Sequence, residues 1–302
     1  MKIKRIFSFA VVVALVCAFA IGVAACGDTP TIKVNDEFLG TSDSQYAVDG
    51  MSAYDLIMEA YANWCDDDGY VRREQFVFTA EVLGGFMTAA TRSTDLLRKV
   101  DGQRIYSQEV ILGTGQDTGT KAIRYYFDGE NAWDSENTDG GDISIDEVSG
   151  LPVTADWGEY REYEGDVAEQ NRVLTEHLTT YDFSKRDYLS DKHNDIVYKV
   201  GDVYYCTMTL DCSEEMMNTV HKAARDEFIA NTGAEEEGFS IEDTTIDFAI
   251  AEIDGEYKFV AWRRNEDYSG KRAGIAGGVN CTQTCYSTYS YEGYEITEEL
   301  PQ

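Results

Sequence analysis

The sequence predicts an α+β fold in which a curved, mostly antiparallel β-sheet follows an N-terminal helix and carries inserted helices. Three observations lead there. Tyr54, Ile57, Met58, Tyr61, Trp64 and Cys65 recur at helical spacing behind Ser52, a capping residue. Alternating apolar segments are joined through Asp-Gly and Gly-Asp pairs, the short-range signature of hairpins. Two further helical stretches, each opened by Asp or Ser, interrupt the strands.

The first helix carries Asp55 in its first turn, near the positive end of the helix dipole. Asp66-Asp67-Asp68-Gly69 ends it as a solvated turn, with no calcium-loop spacing behind it. Over 75–82, Phe76, Phe78, Ala80 and Val82 face one way and Gln75, Val77, Thr79 and Glu81 the other. A less regular strand is expected over 104–112. Hairpins follow at 120–133 about Asp128-Gly129-Glu130, at 196–210 about Gly201-Asp202, and at 244–263 about Asp254-Gly255-Glu256. A Tyr-rich last strand covers 286–294. Helices are expected over 166–178, with Val167, Leu174 and Leu178 together, and from Ser213 through Met217, Val220, Ala224 and Phe228 to a stop at Gly233. No internal repeat emerges, and residues 51–296 read as a single α+β domain followed by a tail at 297–302.

The N-terminus is built differently. Lys2, Lys4 and Arg5 precede an apolar run from Ile6 to Ile21 broken only by Ser8, and Val23-Ala24-Ala25-Cys26 follows. A basic start, an apolar centre and small residues before a cut describe a secretory signal. The run is long enough to span a bilayer, but its small-residue end, the Cys and the polar Gly27-Asp28-Thr29-Pro30-Thr31 weigh against a membrane helix. The segment resembles a bacterial lipoprotein signal, with Val23 where that family prefers Leu. The resemblance implies cleavage after residue 25 and a diacylglyceryl thioether on Cys26, with a further acyl chain such as palmitate on the new amine. Two chains anchor a domain stably where one does not. Residues 26–50 then read as a lipidated, flexible tether, polar and poor in apolar groups. The expected location is the cell membrane, lipid-anchored and facing the extracytoplasmic side.

The chain has 25 basic and 56 acidic residues, a formal charge of −31, and loss of residues 1–25 removes only basic ones. This excludes nucleic acid as a partner, since phosphates are repelled and no basic stripe exists. Beyond Cys17 and Cys26 five cysteines remain, Cys65, Cys206, Cys212, Cys281 and Cys285. An oxidising compartment permits disulfides, and at least one is expected among Cys206, Cys212, Cys281 and Cys285. Cys281 and Cys285 cannot bond each other on one extended strand. No second ligand pair stands at zinc spacing and only three His are present, so no metal and no cofactor is expected.

The catalytic signatures are missing: no Gly-X-Ser-X-Gly, no Ser-X-X-Lys, no His-Glu-X-X-His. The Gly-rich run 113–121 has the wrong spacing for a phosphate loop. With so many acids, carboxylate pairs carry no weight as a glycosidase signal. Aromatic content is high, with 4 Trp, 20 Tyr and 13 Phe, much of it on strands whose two faces are both partly apolar. A sheet lined on its concave face for a hydrophobic ligand fits this pattern.

An amphipathic helix behind a lipobox and tether, then antiparallel strands with hairpins such as Phe127-Asp128-Gly129-Glu130, resembles the LolA-like lipoprotein-carrier superfamily. The resemblance covers 51–296 in element order and implies an unclosed half-barrel with a helical lid and an apolar cavity. No family site residue carries over. The expectation is a non-enzymatic binding module for an acyl chain or other lipid-like apolar ligand, with Phe76, Phe78, Tyr125 and Phe127 lining the cavity. A regulatory or surface protein that binds another exported protein is the alternative, and an unrecognised hydrolase the third. Cys26→Ser should abolish acylation and leave uncleaved precursor or shed protein. A variant that still partitions into detergent with unchanged mature mass would refute the lipoprotein reading.

Overall fold

The computed structural model describes residues 46–82, 88–114, 121–137, 143–145, 152–232, 234–271 and 278–297. The signal-like segment, Cys26, most of the expected tether and Gly233 lie outside them.

One antiparallel sheet dominates. Its order is β1 (Tyr46–Ser52), β10 (Ile196–Val200), β11 (Val203–Leu210), β13 (Thr244–Ile253), β14 (Glu256–Gly270), β15 (Val279–Ser290), β2 (Tyr70–Val82), β3 (Thr88–Val100), β4 (Arg104–Thr114), β5 (Lys121–Phe127), β6 (Ala132–Glu136) and β9 (Arg161–Glu162). A short β12 (Ser240–Ile241) joins the end of β14, and β7 (Ile143–Ile145) pairs separately with β8 (Pro152–Ala155). Strands β1 and β9 do not meet, so the sheet stays unclosed, as expected. Tight hairpins set the register. Asp101-Gly102 and Asp254-Gly255 both take positive φ at two successive residues, the turn geometry that matches strand twist.

Helix α1 (Ala53–Asp66) is capped as the sequence indicates, Ser52 Oγ accepting from Asp55 N at 3.2 Å. Arg186 fastens this cap to the 190s segment, donating to Ser52 Oγ and Asp195 Oδ2 at 2.7 Å each. Desolvation would raise the Asp195 pKa, but hydrogen bonds from Arg186, the Tyr54 N–H and Ser52 outweigh it and hold the carboxyl at about 2. The helix buries Leu56, Ile57, Ala60 and Trp64 against the sheet. Trp64 meets Tyr70, Tyr289 and Phe259 with ring centroids 6.2, 6.0 and 6.3 Å apart, and Phe259 stacks on Phe248 at 5.2 Å. This face of the helix therefore packs solidly against the sheet.

Helix α2 (Val167–Glu176) is capped by Asp166. The helix expected from Ser213 breaks into α3 (Glu214–Asn218) and α4 (Lys222–Thr232). The break falls where the amides of Thr219 and His221 both turn back to Met216 O. Met217, Ala224 and Phe228 are buried as the periodicity requires. Three boundaries differ from the sequence reading. Strand β1 takes in residues 46–50, assigned above to the tether, because Tyr46 and Ala47 pair with Lys199 and Tyr198. Strand β2 begins at Tyr70, and β3 was not foreseen at all. The last strand lies at Val279–Ser290 rather than 286–294.

The expected disulfide is a correction as well: Cys65, Cys206, Cys212 and Cys285 are reduced thiols, which leaves no bridge among the expected candidates. Cys206 pairs across the sheet with Phe248, Cys281 with Ala80 and Tyr268, and Cys285 with Phe76 and Arg264. Strand β11 is three steps from β15, roughly 14 Å at about 4.8 Å per strand, twice the Cα separation a disulfide tolerates. Cys212 Sγ instead meets Thr244 Oγ1 at 3.5 Å.

Candidate functional site

Alternation along β2 sends Tyr70, Arg72, Glu74, Phe76, Phe78 and Ala80 to the helix-covered face of the sheet. The registers carry this face sideways: Glu74 opposes Asp95 of β3 and Ser287 of β15, Phe76 opposes Ser93 and Cys285, and Phe78 opposes Gln283. One step further lie Glu109 of β4 and Trp262, Arg264 and Glu266 of β14. Tyr70, Ala80, Asp95 and Ser287 apart, these side chains form the floor of a cavity of about 280 Å³. Its roof comes from Val173, Leu174, His177 and Leu178 at the end of α2, from Thr179 and Thr180, and from Ala224, Glu227 and Phe228 of α4. Glu169 and Arg172, ion-paired at 2.8 Å, stand at the rim.

The cavity has two characters. Phe76, Phe78, Val173, Leu178 and Phe228 make an apolar wall, with Phe228 stacked on Tyr268 at 4.1 Å. Beside them lie buried charges. Arg72 bonds Asp95 at 2.7 Å, and Ser107 donates to the same carboxylate at 2.9 Å. Arg264 lies 2.9 Å from Glu266, which also accepts from Gln283 at 2.8 Å. Glu74 accepts from Ser287 at 2.6 Å and Glu109 from Ser93 at 2.7 Å. Burial pushes the Glu109 carboxyl up to about 7 against the opposing Ser93 bond. Burial likewise raises Glu227, with Arg264 and Thr180 opposing, and lowers His177, which the nearby Arg172 and Arg264 lower further. No group of three His, Cys, Asp or Glu among the described residues is placed to hold a metal ion.

Of the four aromatic residues expected at a ligand site, Phe76 and Phe78 line the cavity and Tyr125 and Phe127 do not. Strand β5 is three strands from β2 and lies under α2. There Tyr125 is packed core, donating to Asn171 Oδ1 at 2.8 Å and meeting Tyr163 edge-on at 5.2 Å. Phe127 borders a separate polar groove with Asp67 and Lys99. The charged floor itself was missed. Starting the strand at Gln75 hid Arg72 and Glu74, which the same two-residue period places on the face of Phe76 and Phe78.

No protein-family model matches the chain, and no curated protein sequence matches it. Among solved structures, lipovitellin, in a structure titled for its lipid–protein interactions, aligns with 78% of this chain at 8% identity and a TM-score of 0.29. The chain spans 26% of lipovitellin's length. A DUF1329 family protein from Desulfovibrio piger aligns with 81% of this chain and 93% of its own at 12% identity and a TM-score of 0.24. Neither likeness bears on function.

The raised Glu109 pKa has a definite sign. The fold favours the neutral acid, so this contribution to stability is complete below the ordinary value of 4.5 and is lost as pH rises through about 7. Glu109→Gln keeps an acceptor for Ser93 and cannot ionise. Denaturant titrations should find it no more stable than the parent near pH 4.5 and about 1–3 kcal/mol more stable at pH 8. A difference that does not vary with pH would contradict the buried-acid assignment.

Proposed function

We propose that this chain is a membrane-tethered, extracytoplasmic binding module, anchored through Cys26, that takes a small amphiphile into the cavity between the sheet and helices α2 and α4. The carrying observation is the cavity itself, where the aromatic wall of Phe76, Phe78 and Phe228 continues into a buried, hydrogen-bonding floor. Ligand sites combine these features: apolar lining for affinity and a few placed polar groups for orientation. The LolA-like resemblance, carried by element order and the unclosed sheet, supports a binding rather than a catalytic role.

Size narrows the ligand. About 280 Å³ is just below the usual range of ~300–1,000 Å³ for small-molecule sites. A short alkyl chain or a single ring with one polar end fits, whereas a two-chain lipid is too large.

Calorimetric titration with 1-octanol tests the reading, paired with Ala224→Phe, which adds a ring where α4 roofs the cavity. Saturable one-site binding is expected for the parent, with at least a tenfold loss in the variant. Filling space on a cavity wall should leave the melting temperature equal or higher. Absence of parent binding, or binding unaffected by the added ring, would overturn the proposal.

A further inference from the structure

We infer that His221 is a proton-operated latch on the roof of the cavity, holding helix α4 closed while its imidazole is neutral and releasing it in acid. The latch stands on the fold alone, and only its consequence for a ligand rests on the binding reading above.

His221 occupies the junction of α3 and α4, and its backbone ties the two together. Its N–H donates to Met216 O at 2.9 Å, and its carbonyl accepts from Arg225 N at 3.1 Å. The side chain opens the inner face of α4. Ala224 and Phe228, three and seven residues on, are buried on the same side of the helix and line the cavity. The His221 ring is 0% exposed, and Tyr181 and Tyr188 hold it edge-on with centroids 5.3 and 6.3 Å away. Neither ring nitrogen meets a hydrogen-bond partner among the described residues. Buried polar atoms in native proteins are nearly all paired, so two orphans on one ring call for a reason.

A neutral imidazole tolerates such a site far better than an imidazolium does. Protonation makes both nitrogens donors and adds a charge, whose burial without partners is much more costly. The titratable groups that face the ring are Tyr181 and Asp182 from the segment after α2, Tyr188 from the 3-10 turn Arg186–Tyr188, and Asp211 just after β11. On α4 itself, Lys222 and Arg225 are paired with Asp226 and Glu236. Burial lowers the His221 pKa, with Asp182 and Asp211 opposing. Asp182 is exposed, so its pull on an imidazolium is toward solvent. The ring reaches water by lifting the start of α4, which carries Ala224, Glu227 and Phe228 off the cavity. The cavity acids do not mimic this response. Burial raises Glu109 and Glu227, so acid favours their buried neutral forms.

The fold favours the neutral ring, so this contribution to closure is complete above the ordinary value of 6.5 and is lost as pH falls below it. An opening that returns the ring to water becomes roughly thirtyfold more populated at pH 5.0 than at pH 7.5 if the closed ring stays neutral.

Amide hydrogen exchange on the full chain, with no ligand added and protection referred to the intrinsic rate at each pH, tests the latch. The α4 amides should lose tenfold or more of their protection at pH 5.0 relative to pH 7.5, while those of β14 and β15 keep theirs. His221→Phe keeps a ring between the tyrosines but cannot ionise, and its α4 protection should change by less than threefold. Unchanged α4 protection in the parent, or an equal loss in the variant, would overturn the inference. The parent measurement stands even if the variant does not fold. Because no ligand enters the experiment, the latch and the binding reading fail independently.

Discussion

The cavity depends on how the C-terminus of helix α2 is held. A helix leaves its last carbonyls without intrahelical donors, and no basic residue in the last turn of α2 supplies one. Three side chains from beneath do so. Arg72 Nη1 donates to Leu174 O at 3.2 Å, Tyr70 Oη to Thr175 O at 3.2 Å, and Tyr61 Oη to Glu176 O at 2.7 Å. Two of these donors lie on the floor strand β2 and one on α1. Arg72 is the pivotal member, because it reaches the roof with one nitrogen and Asp95 with another. Arg264, which donates to Thr179 Oγ1 at 2.6 Å, repeats the device on β14. The roof is thus fixed by hydrogen bonds of set length and does not settle onto the floor.

A polar floor under such a roof leaves space. Apolar side chains facing one another interdigitate to the density of an organic crystal, and they do so under α1, where Trp64, Phe259 and Tyr289 meet. Under α2 and α4 the sheet instead presents polar groups bonded laterally: Glu74 accepts from Ser287, Glu109 accepts from Ser93, and Arg264 pairs with Glu266. Burying those groups beneath a dry apolar lid would forfeit solvation. One sheet face therefore carries a solid core at one end and a cavity at the other, and the boundary falls within β2, between Tyr70 and Glu74.

Much of the fold is legible in the sequence. The cap and apolar face of α1, the start of α2, and the hairpins about Asp128-Gly129, Gly201-Asp202 and Asp254-Gly255 follow from local chemistry. What was illegible has one cause. Strand β3 carries Ser93 and Asp95 on its inward face, so it lacks the apolar alternation that marks a half-buried strand. Arg72 and Glu74 hide the start of β2 in the same way. The Asp101-Gly102 turn between β3 and β4 was available as a signal and would have located both strands. Of the site, Phe76 and Phe78 were readable from alternation. The acids were not, since 56 acidic residues make any single one unremarkable until the register brings them together. Tyr125 and Phe127 share the inward face, and only the placement of α2 separates them from the cavity.

The account stands on Arg72 holding the roof, and amide hydrogen exchange reads this directly. Arg72→Met combined with Asp95→Leu removes the pair without leaving a buried charge, an exchange that folded proteins often tolerate. The account predicts that the amides of α2 lose protection by tenfold or more while those of β2, β14 and β15 keep theirs. Unchanged protection in α2 would show that the helix is held by other contacts and would contradict the account.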